Sequence, residues 1–166
     1  MAFSFLPAMI CDAVTDLSPM LLKERGIKLL MMDFDNTLVP YTTSVPTQMV
    51  ADWLKAMQQD SVQLCVVSNS KKGRVKVFCD QYGLPCITHA RKPFAKGIRQ
   101  CLERYGLRPE ECALVGDQIY TDTLGGNAAG IRTILVCSIN NHNVWLKIRH
   151  KAELPFIYMA RNRRID

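Results

Sequence analysis

The chain has 166 residues, of which 48% are hydrophobic and 22% are charged. This length and composition predict one globular domain over residues 1–166, with a single sizeable core. No segment reaches the ~20 continuous apolar residues of a membrane-spanning helix, and the apolar N-terminus lacks the basic residues of a secretory signal.

The distribution of cysteines indicates the redox environment in which the protein works. Seven cysteines are spread along the chain without a C-x-x-C pair, and most of them fall in apolar segments. This pattern predicts buried, reduced thiols and a cytoplasmic setting. With only three histidines and no C-x-x-C pair, the sequence argues against a structural zinc site.

The predicted elements alternate between helices and short apolar strands. A first short helix begins after Ser18, which can cap it, and ends at Gly26. Five strands follow, which we expect at about 28–34, 62–67, 86–88, 112–115 and 133–137. Helices are predicted at about 46–59, 72–82, 94–105 and 120–129, and a last one at about 144–160 with a break at Pro155.

Strands that alternate with helices form a parallel sheet covered on both faces. Right-handed crossovers restrict the topology to an α/β, Rossmann-like three-layer sandwich with a five-stranded parallel sheet. The core is predicted at about 27–137, followed by a basic helical extension at about 143–166. No insertion between elements is large enough to form a cap domain, so we expect an open site.

Polar residues recur where the predicted strands end. They are Asp33 and Asp35 after the first strand, Ser68 and Asn69 after the second, Lys92 after the third, and Asp117 and Asp122 after the fourth. Ligands of such sheets bind at the carboxyl ends of the strands, so these residues should share one rim. Several carboxylates in one cavity require a cation, and oxygen ligands suit Mg²⁺. Together with a lysine and a serine, they predict phosphoryl transfer.

Four stretches resemble the motifs of the haloacid dehalogenase (HAD) superfamily: D-F-D-N-T-L-V, S-N-S, K-P and G-D-Q-I-Y-T-D. Longer stretches, including F-L-P, K-E-R-G-I-K, A-R-K-P and V-G-D-Q-I-Y-T-D-T-L-G-G-N, are similar to the YqeG-type phosphatases of HAD subfamily IIIA. These are small, capless HAD proteins related to the mitochondrial-type phosphatidylglycerophosphate phosphatases. The resemblance covers roughly residues 5–136.

The resemblance implies a Mg²⁺-dependent phosphatase with specific catalytic and metal-binding residues. Asp33 is the implied nucleophile, and Asp35 protonates the leaving group and then activates water. Mg²⁺ is held by the Asp33 carboxylate, the Asp35 backbone carbonyl and Asp117, while Asp122 binds it directly or through water. Lys92 stabilises the Asp33 charge and the phosphoryl group.

The resemblance also implies residues that contact the substrate or shape its site. Ser68 and Asn69 are expected to bind the substrate, and Thr37 to orient the nucleophile loop beside it. Other interpretations stay open at this point, since Ser68 could instead cap the helix that follows it and Asp122 could cap the helix near residues 121–123. Lys96 could replace Lys92, and Asn127 could touch the site.

The implied substrate is a phosphomonoester, with phosphatidylglycerophosphate preferred. From Trp145 onward six basic and two acidic residues contribute +4 of the net charge of +6. Such a segment favours anionic partners, so we expect peripheral contact with an anionic lipid surface at the inner face of the membrane. No DNA partner is expected. A soluble sugar phosphate or nucleotide remains an alternative substrate, and a non-catalytic scaffold for RNA or protein an alternative function.

Overall fold

The computed structural model describes residues 4–70, 72–139 and 144–162, so residue 143 and the last four residues of the predicted basic extension lie outside it. One parallel sheet of six strands runs through the described residues, in the order β1-β6-β5-β2-β3-β4. The strands are β1 (Met9–Cys11), β2 (Leu29–Met32), β3 (Gln63–Val67), β4 (Cys86–Ile87), β5 (Cys112–Gly116) and β6 (Arg132–Val136).

Helices connect the strands and cover the sheet. Ser18 caps the first helix as predicted, because its hydroxyl accepts a hydrogen bond from the Leu21 N–H at 3.1 Å. The helices are α1 (Pro19–Glu24), α2 (Gln48–Gln58), α3 (Lys72–Tyr82), α4 (Lys96–Tyr105), α5 (Leu124–Ala129) and α6 (Val144–Asn162). A turn of π-helix, Ile119–Thr123, leads directly into α5.

The core lies on both faces of the sheet, because neighbouring residues of a strand point to opposite sides. In β2, Leu30 and Met32 pack into the cluster that α1, α2 and α3 cover. Leu29 and Met31 pack into the cluster beneath α4 and α5. All four side chains are fully buried, as expected for a central parallel strand. The predicted α/β Rossmann-like sandwich is therefore confirmed.

Two details differ from the sequence-based expectations. The sheet has six strands rather than five, because the N-terminal segment adds β1 by pairing Met9 with Ile134 of β6. Helix α6 continues through Pro155 without the predicted break. Glu153 and Phe156, on either side of this proline, both contact the segment that follows β5, and these contacts hold the two halves in line.

The described part of the chain contains no cap over the carboxyl edge of the sheet, in agreement with the predicted open site. None of its helices combines the length and the apolar character needed to span a membrane. All seven cysteines are free thiols, but the predicted burial holds for only four of them, since Cys11 and Cys86 are half-buried and Cys137 is exposed.

Candidate active site

Asp33 and Asp35 follow β2 and reach one cavity. The chain turns sharply just after them, between Asn36 and Tyr41. The Asp33 N–H still continues the sheet ladder by donating to the Val115 carbonyl at 2.9 Å. Asn36 then adopts a φ of 60°, a left-handed conformation that asparagine tolerates better than most residues. Its side-chain oxygen accepts from the Tyr41 N–H at 3.1 Å and holds the turn. Asp33 and Asp35 consequently line the same cavity.

The floor of the site is a buried ion-pair cluster of Asp33, Lys92 and Asp122. Lys92 Nζ lies 2.6 Å from Asp33 Oδ1 and 2.6 Å from Asp122 Oδ1, and the three residues are only 6%, 5% and 2% exposed. Burial raises the pKa of Asp33 to about 7, against the opposing charge of Lys92. Burial alone would lower the pKa of Lys92, but the charges of Asp122 and Asp33 raise it above its ordinary value.

A third carboxylate, Asp117, joins this floor at the end of β5. Carboxylate oxygens of Asp33, Asp117 and Asp122 all lie within 4.8 Å of one another. Gly116 permits this approach, since a Cβ at this position would lie 2.3 Å from the Asp122 carboxylate. Three buried carboxylates with only oxygen donors fit a hard divalent cation such as Mg²⁺.

Asn69 fixes the backbone of the lysine that crosses this floor. Its side-chain amide donates to the Lys92 carbonyl at 2.8 Å, and its side-chain oxygen accepts from the Lys92 N–H at 2.7 Å. Asn69 also lines the cavity, so it can position Lys92 and still face a substrate. Lys96, the alternative lysine, is exposed at the start of α4.

The mouth of the site is formed by Asp35, Ser70 and Arg74. The Ser70 hydroxyl donates to one Asp35 oxygen, and the Arg74 guanidinium pairs with the other. Arg74 also donates to the carbonyls of Pro40, at 2.8 Å, and of Thr43. This one arginine therefore ties Asp35 to the loop that follows β2.

The cavity has a volume of about 630 Å³, within the range of small-molecule sites. Five residues predicted for the site line it: Asp33, Asp35, Ser68, Asn69 and Lys92. The predicted residues Thr37, Asp117 and Asp122 are buried behind this lining. The Thr37 hydroxyl has no hydrogen-bond partner among the described residues.

The interpretations left open for Ser68, Asp122 and Asn127 can be compared with the structure. Ser68 is buried, and its hydroxyl accepts from the Ser70 N–H at 3.0 Å in the turn before α3. Asp122 accepts from the Gln118 N–H at 3.2 Å in addition to pairing with Lys92. Asn127 lies elsewhere, where it donates to the carbonyls of two N-terminal residues.

The site residues predicted from the sequence did not include Arg74, which lines the cavity. Ser70 and Tyr41, which also line it, were missed as well. A signal for Arg74 was present, because α3 begins at the carboxyl edge of the sheet and Arg74 lies in its first turn. Side chains in that turn face the same rim as the strand ends.

Comparison with known proteins agrees with this arrangement. The HAD-hydrolase-like family model matches residues 89–153. The chain is 37% identical over 135 residues to a Bacillus subtilis (strain 168) protein named "Probable phosphatase YqeG", covering 81% of this chain and 78% of that protein. It is 27% identical over 147 residues to phosphatidylglycerophosphate phosphatase 1, chloroplastic/mitochondrial, of Arabidopsis thaliana, covering 82% of this chain and 39% of that protein.

A solved structure shares the fold. It is a Legionella pneumophila protein named "putative HAD superfamily (subfamily III A) hydrolase", with a TM-score of 0.52, 13% identity, and coverage of 87% of this chain and 94% of that chain. The fold and the carboxylate–lysine centre define a HAD-type hydrolase. More narrowly, the chain belongs to the YqeG-type HAD phosphatases, a membership that the relative in Bacillus subtilis establishes.

Proposed function

We propose that this phosphatase is a Mg²⁺-dependent phosphomonoester hydrolase that works through an aspartyl-phosphate, with phosphatidylglycerophosphate as its substrate. One observation supports this most directly. Asp33, at the end of central strand β2, lines an open cavity while its carboxylate lies 2.6 Å from Lys92 Nζ and within a cluster of three carboxylates. This arrangement would supply the nucleophile, the fixed cation and the metal site that metal-dependent phosphoryl transfer to an aspartate uses.

The proposed reaction has two steps. In the first, an Asp33 oxygen attacks phosphorus, the bond from phosphorus to the alcohol oxygen breaks, and Asp35, released from Arg74 and protonated in the substrate complex, gives its proton to the departing oxygen. In the second, Asp35 takes a proton from water, the water oxygen attacks phosphorus, and the bond to Asp33 breaks. One water is consumed, alcohol and inorganic phosphate are released, and both aspartates return to their starting states.

The residues of the floor fit the metal that this reaction requires. The carboxylates of Asp33 and Asp117 and the backbone carbonyl of Asp35 would hold Mg²⁺, with Asp122 beside them. When bound, Mg²⁺ supplies positive charge that favours the ionised form of Asp33 and offsets charge on the phosphoryl oxygens. Lys92 supplies a second, permanent positive charge at the same carboxylate.

Ser68 is the hydroxyl residue proposed for the phosphate site, and Thr37 is proposed to support the loop beside it. Ser68 lines the cavity beside Asp33 and donates to a phosphoryl oxygen when substrate is present. Thr37, buried in the loop that carries Asp35, orients that loop. Asn69 contributes by fixing Lys92 through its two hydrogen bonds to the lysine backbone.

Three features favour a lipid phosphate displayed on a membrane. No cap covers the site among the described residues, so a head group can enter it from an extended surface. The loop after β4 carries Phe94, which is 73% exposed, and the exposed cation Arg91. Apolar and basic residues together suit the interface of an anionic bilayer. The similarity to the phosphatidylglycerophosphate phosphatase of Arabidopsis thaliana gives further support.

This substrate implies a cytoplasmic protein that contacts the inner face of the membrane peripherally. The basic stretch from Trp145 onward, with six cations against two acids, would add electrostatic attraction to anionic lipid. A soluble phosphomonoester is the second candidate, favoured by the polar lining of the cavity, which includes Ser68, Ser70 and Gln118.

Phosphate release distinguishes these candidates. Release would be measured with and without Mg²⁺ from phosphatidylglycerophosphate in mixed micelles and from a panel of sugar phosphates and nucleotides, with Asp33→Asn as the blank. Rapid release from the lipid alone supports the proposed substrate. Release from the panel alone keeps the reaction but assigns a soluble substrate, and no release from either would favour the scaffold function.

A further inference from the structure

Glu153 is a buried acidic residue in the otherwise basic C-terminal helix α6. It is 2% exposed, and its Oε1 accepts a hydrogen bond from the Ile119 N–H at 3.0 Å. Burying a carboxylate is costly unless hydrogen bonds compensate. Ile119 is itself buried and lies between Asp117 and Asp122, two carboxylates of the floor. We infer that Glu153 is a positioning residue for these two carboxylates, an inference that rests on the proposed metal-dependent function.

The segment that Glu153 contacts carries both carboxylates on a short, irregular turn. β5 ends at Gly116, and Asp122 lies in the π-helical turn Ile119–Thr123. The first N–H groups of any helical segment lack partners within the helix. Asp122 satisfies one of them from inside the turn by accepting from Gln118, whereas Ile119 depends on a residue 34 positions later in the chain.

Loss of the Glu153 oxygen would leave the Ile119 N–H buried and without this acceptor. Such a group costs about 1–3 kcal/mol, so the turn would shift to find another partner. Because Asp122 is fixed to the same turn and packs against Gly116, a shift would move it relative to Asp33 and Asp117. Metal affinity depends on this spacing, and loss of an outer residue that orients ligands typically weakens metal binding about 10–100-fold.

Further contacts hold α6 against the same turn. The Tyr120 hydroxyl donates to the Ala152 carbonyl at 3.3 Å, and the Phe156 ring lies 6.5 Å from the Tyr120 ring, centroid to centroid. Phe5 packs against both rings, at 5.1 Å from Phe156 and 5.8 Å from Tyr120. Helix α6 is thus part of the scaffold of the site, although the sequence placed it beyond the predicted core.

The hydrogen bond, rather than the charge, is the essential feature of this inference. Glu153→Gln keeps an acceptor oxygen at the end of a side chain of the same length, and Glu153→Leu removes it at similar volume. Glu103→Leu, at an exposed position of α4, is the matched control for the same change elsewhere. Mn²⁺ would serve as the metal probe, because its binding is followed by electron paramagnetic resonance without turnover.

We expect Glu153→Leu to weaken Mn²⁺ binding at least about tenfold and to speed amide exchange at residues 119–123. The Mn²⁺ affinities of Glu153→Gln and Glu103→Leu should stay within about twofold of wild type. Wild-type affinity in a folded Glu153→Leu protein, or equal loss in Glu153→Gln, would overturn the role of Glu153. If Glu153→Leu does not fold, Glu153→Asp withdraws the oxygen by one methylene and should show the same weakening. A wild-type protein that binds no Mn²⁺ would instead overturn the proposed metal centre.

Discussion

The floor and the mouth of the site contain carboxylates only two residues apart in the chain, but in different surroundings. On the floor, Asp33 shares Lys92 with Asp122, and all three residues are almost completely buried. At the mouth, Asp35 pairs with Arg74, whose side chain is 28% exposed. Ion pairs are screened weakly in a buried environment and strongly near solvent.

The buried surroundings of Asp33 and the more exposed surroundings of Asp35 suit two different roles. The floor holds its charges in fixed positions before substrate arrives, which is the condition for electrostatic stabilisation of a transition state. The mouth holds Asp35 through partners that solvent can replace, so an entering phosphate can compete for Ser70 and Arg74. Substitutions on the floor should therefore have larger effects than substitutions at the mouth.

Asp33→Asn should have the largest effect on activity. The amide is a poor nucleophile, so we expect phosphate release to fall by at least about 10⁴-fold. The fold should be retained, because asparagine is nearly isosteric and Lys92 keeps its contact with Asp122. Release rates and circular dichroism of the purified variant test this. Residual activity within about tenfold of wild type would exclude Asp33 as the nucleophile.

Lys92→Gln should have the largest effect on stability. It removes the shared cation and leaves Asp33 and Asp122 buried without it, a change that typically costs about 3–5 kcal/mol. The matched change Lys96→Gln, at an exposed position of α4, should stay within about 0.5 kcal/mol of wild type. Urea denaturation of both variants without metal measures the difference. Equal stability of the two would mean that the buried ion pairs do not contribute as the structure suggests.

Arg74→Gln should have a moderate effect at the mouth. The variant loses the ion pair to Asp35 and the bonds to the loop carbonyls of Pro40 and Thr43. We expect kcat to fall about tenfold, which corresponds to about 1.4 kcal/mol, because Asp35 is positioned less well for proton transfer. Lys76→Gln, an exposed charge on the same helix, is the control and should leave kcat unchanged. Similar values for the two variants would show that Arg74 does not position Asp35.

The sequence predicted the site residues that lie at the carboxyl ends of the strands. Parallel strands bring their carboxyl ends to one edge, so a correct strand order along the chain was sufficient to gather Asp33, Ser68, Lys92 and Asp117. The edge strand β1 was missed because three residues are too few to show a period of two.

Other features depended on contacts that no local pattern records. Arg74 reaches Asp35 across 39 positions of the chain, and Glu153 reaches Ile119 across 34. Asn69 was predicted as a substrate ligand, and its two bonds to the Lys92 backbone depend on how the loops after β3 and β4 meet. Such pairings follow from tertiary packing, which a single sequence does not specify.

The last expected effect is a pH dependence of stability that arises on the floor. Burial raises the pKa of Asp33 to about 7, whereas an aspartate in the unfolded chain has a pKa of about 3.9. Between these values the folded protein retains a proton that the unfolded chain has released, so stability falls as pH rises and levels off above about 7. An asparagine side chain cannot titrate, so Asp33→Asn should lack this component of the pH dependence.

Thermal midpoints of wild type and Asp33→Asn, measured in chelator from pH 5 to 8, isolate this effect. The wild-type midpoint should decline relative to that of Asp33→Asn as pH rises, and the difference should shrink when Mg²⁺ is added, because the cation then replaces the proton as the partner of the carboxylate. Parallel curves in chelator would mean that Lys92 alone keeps Asp33 ionised, and the floor would then carry its full charge before any metal binds.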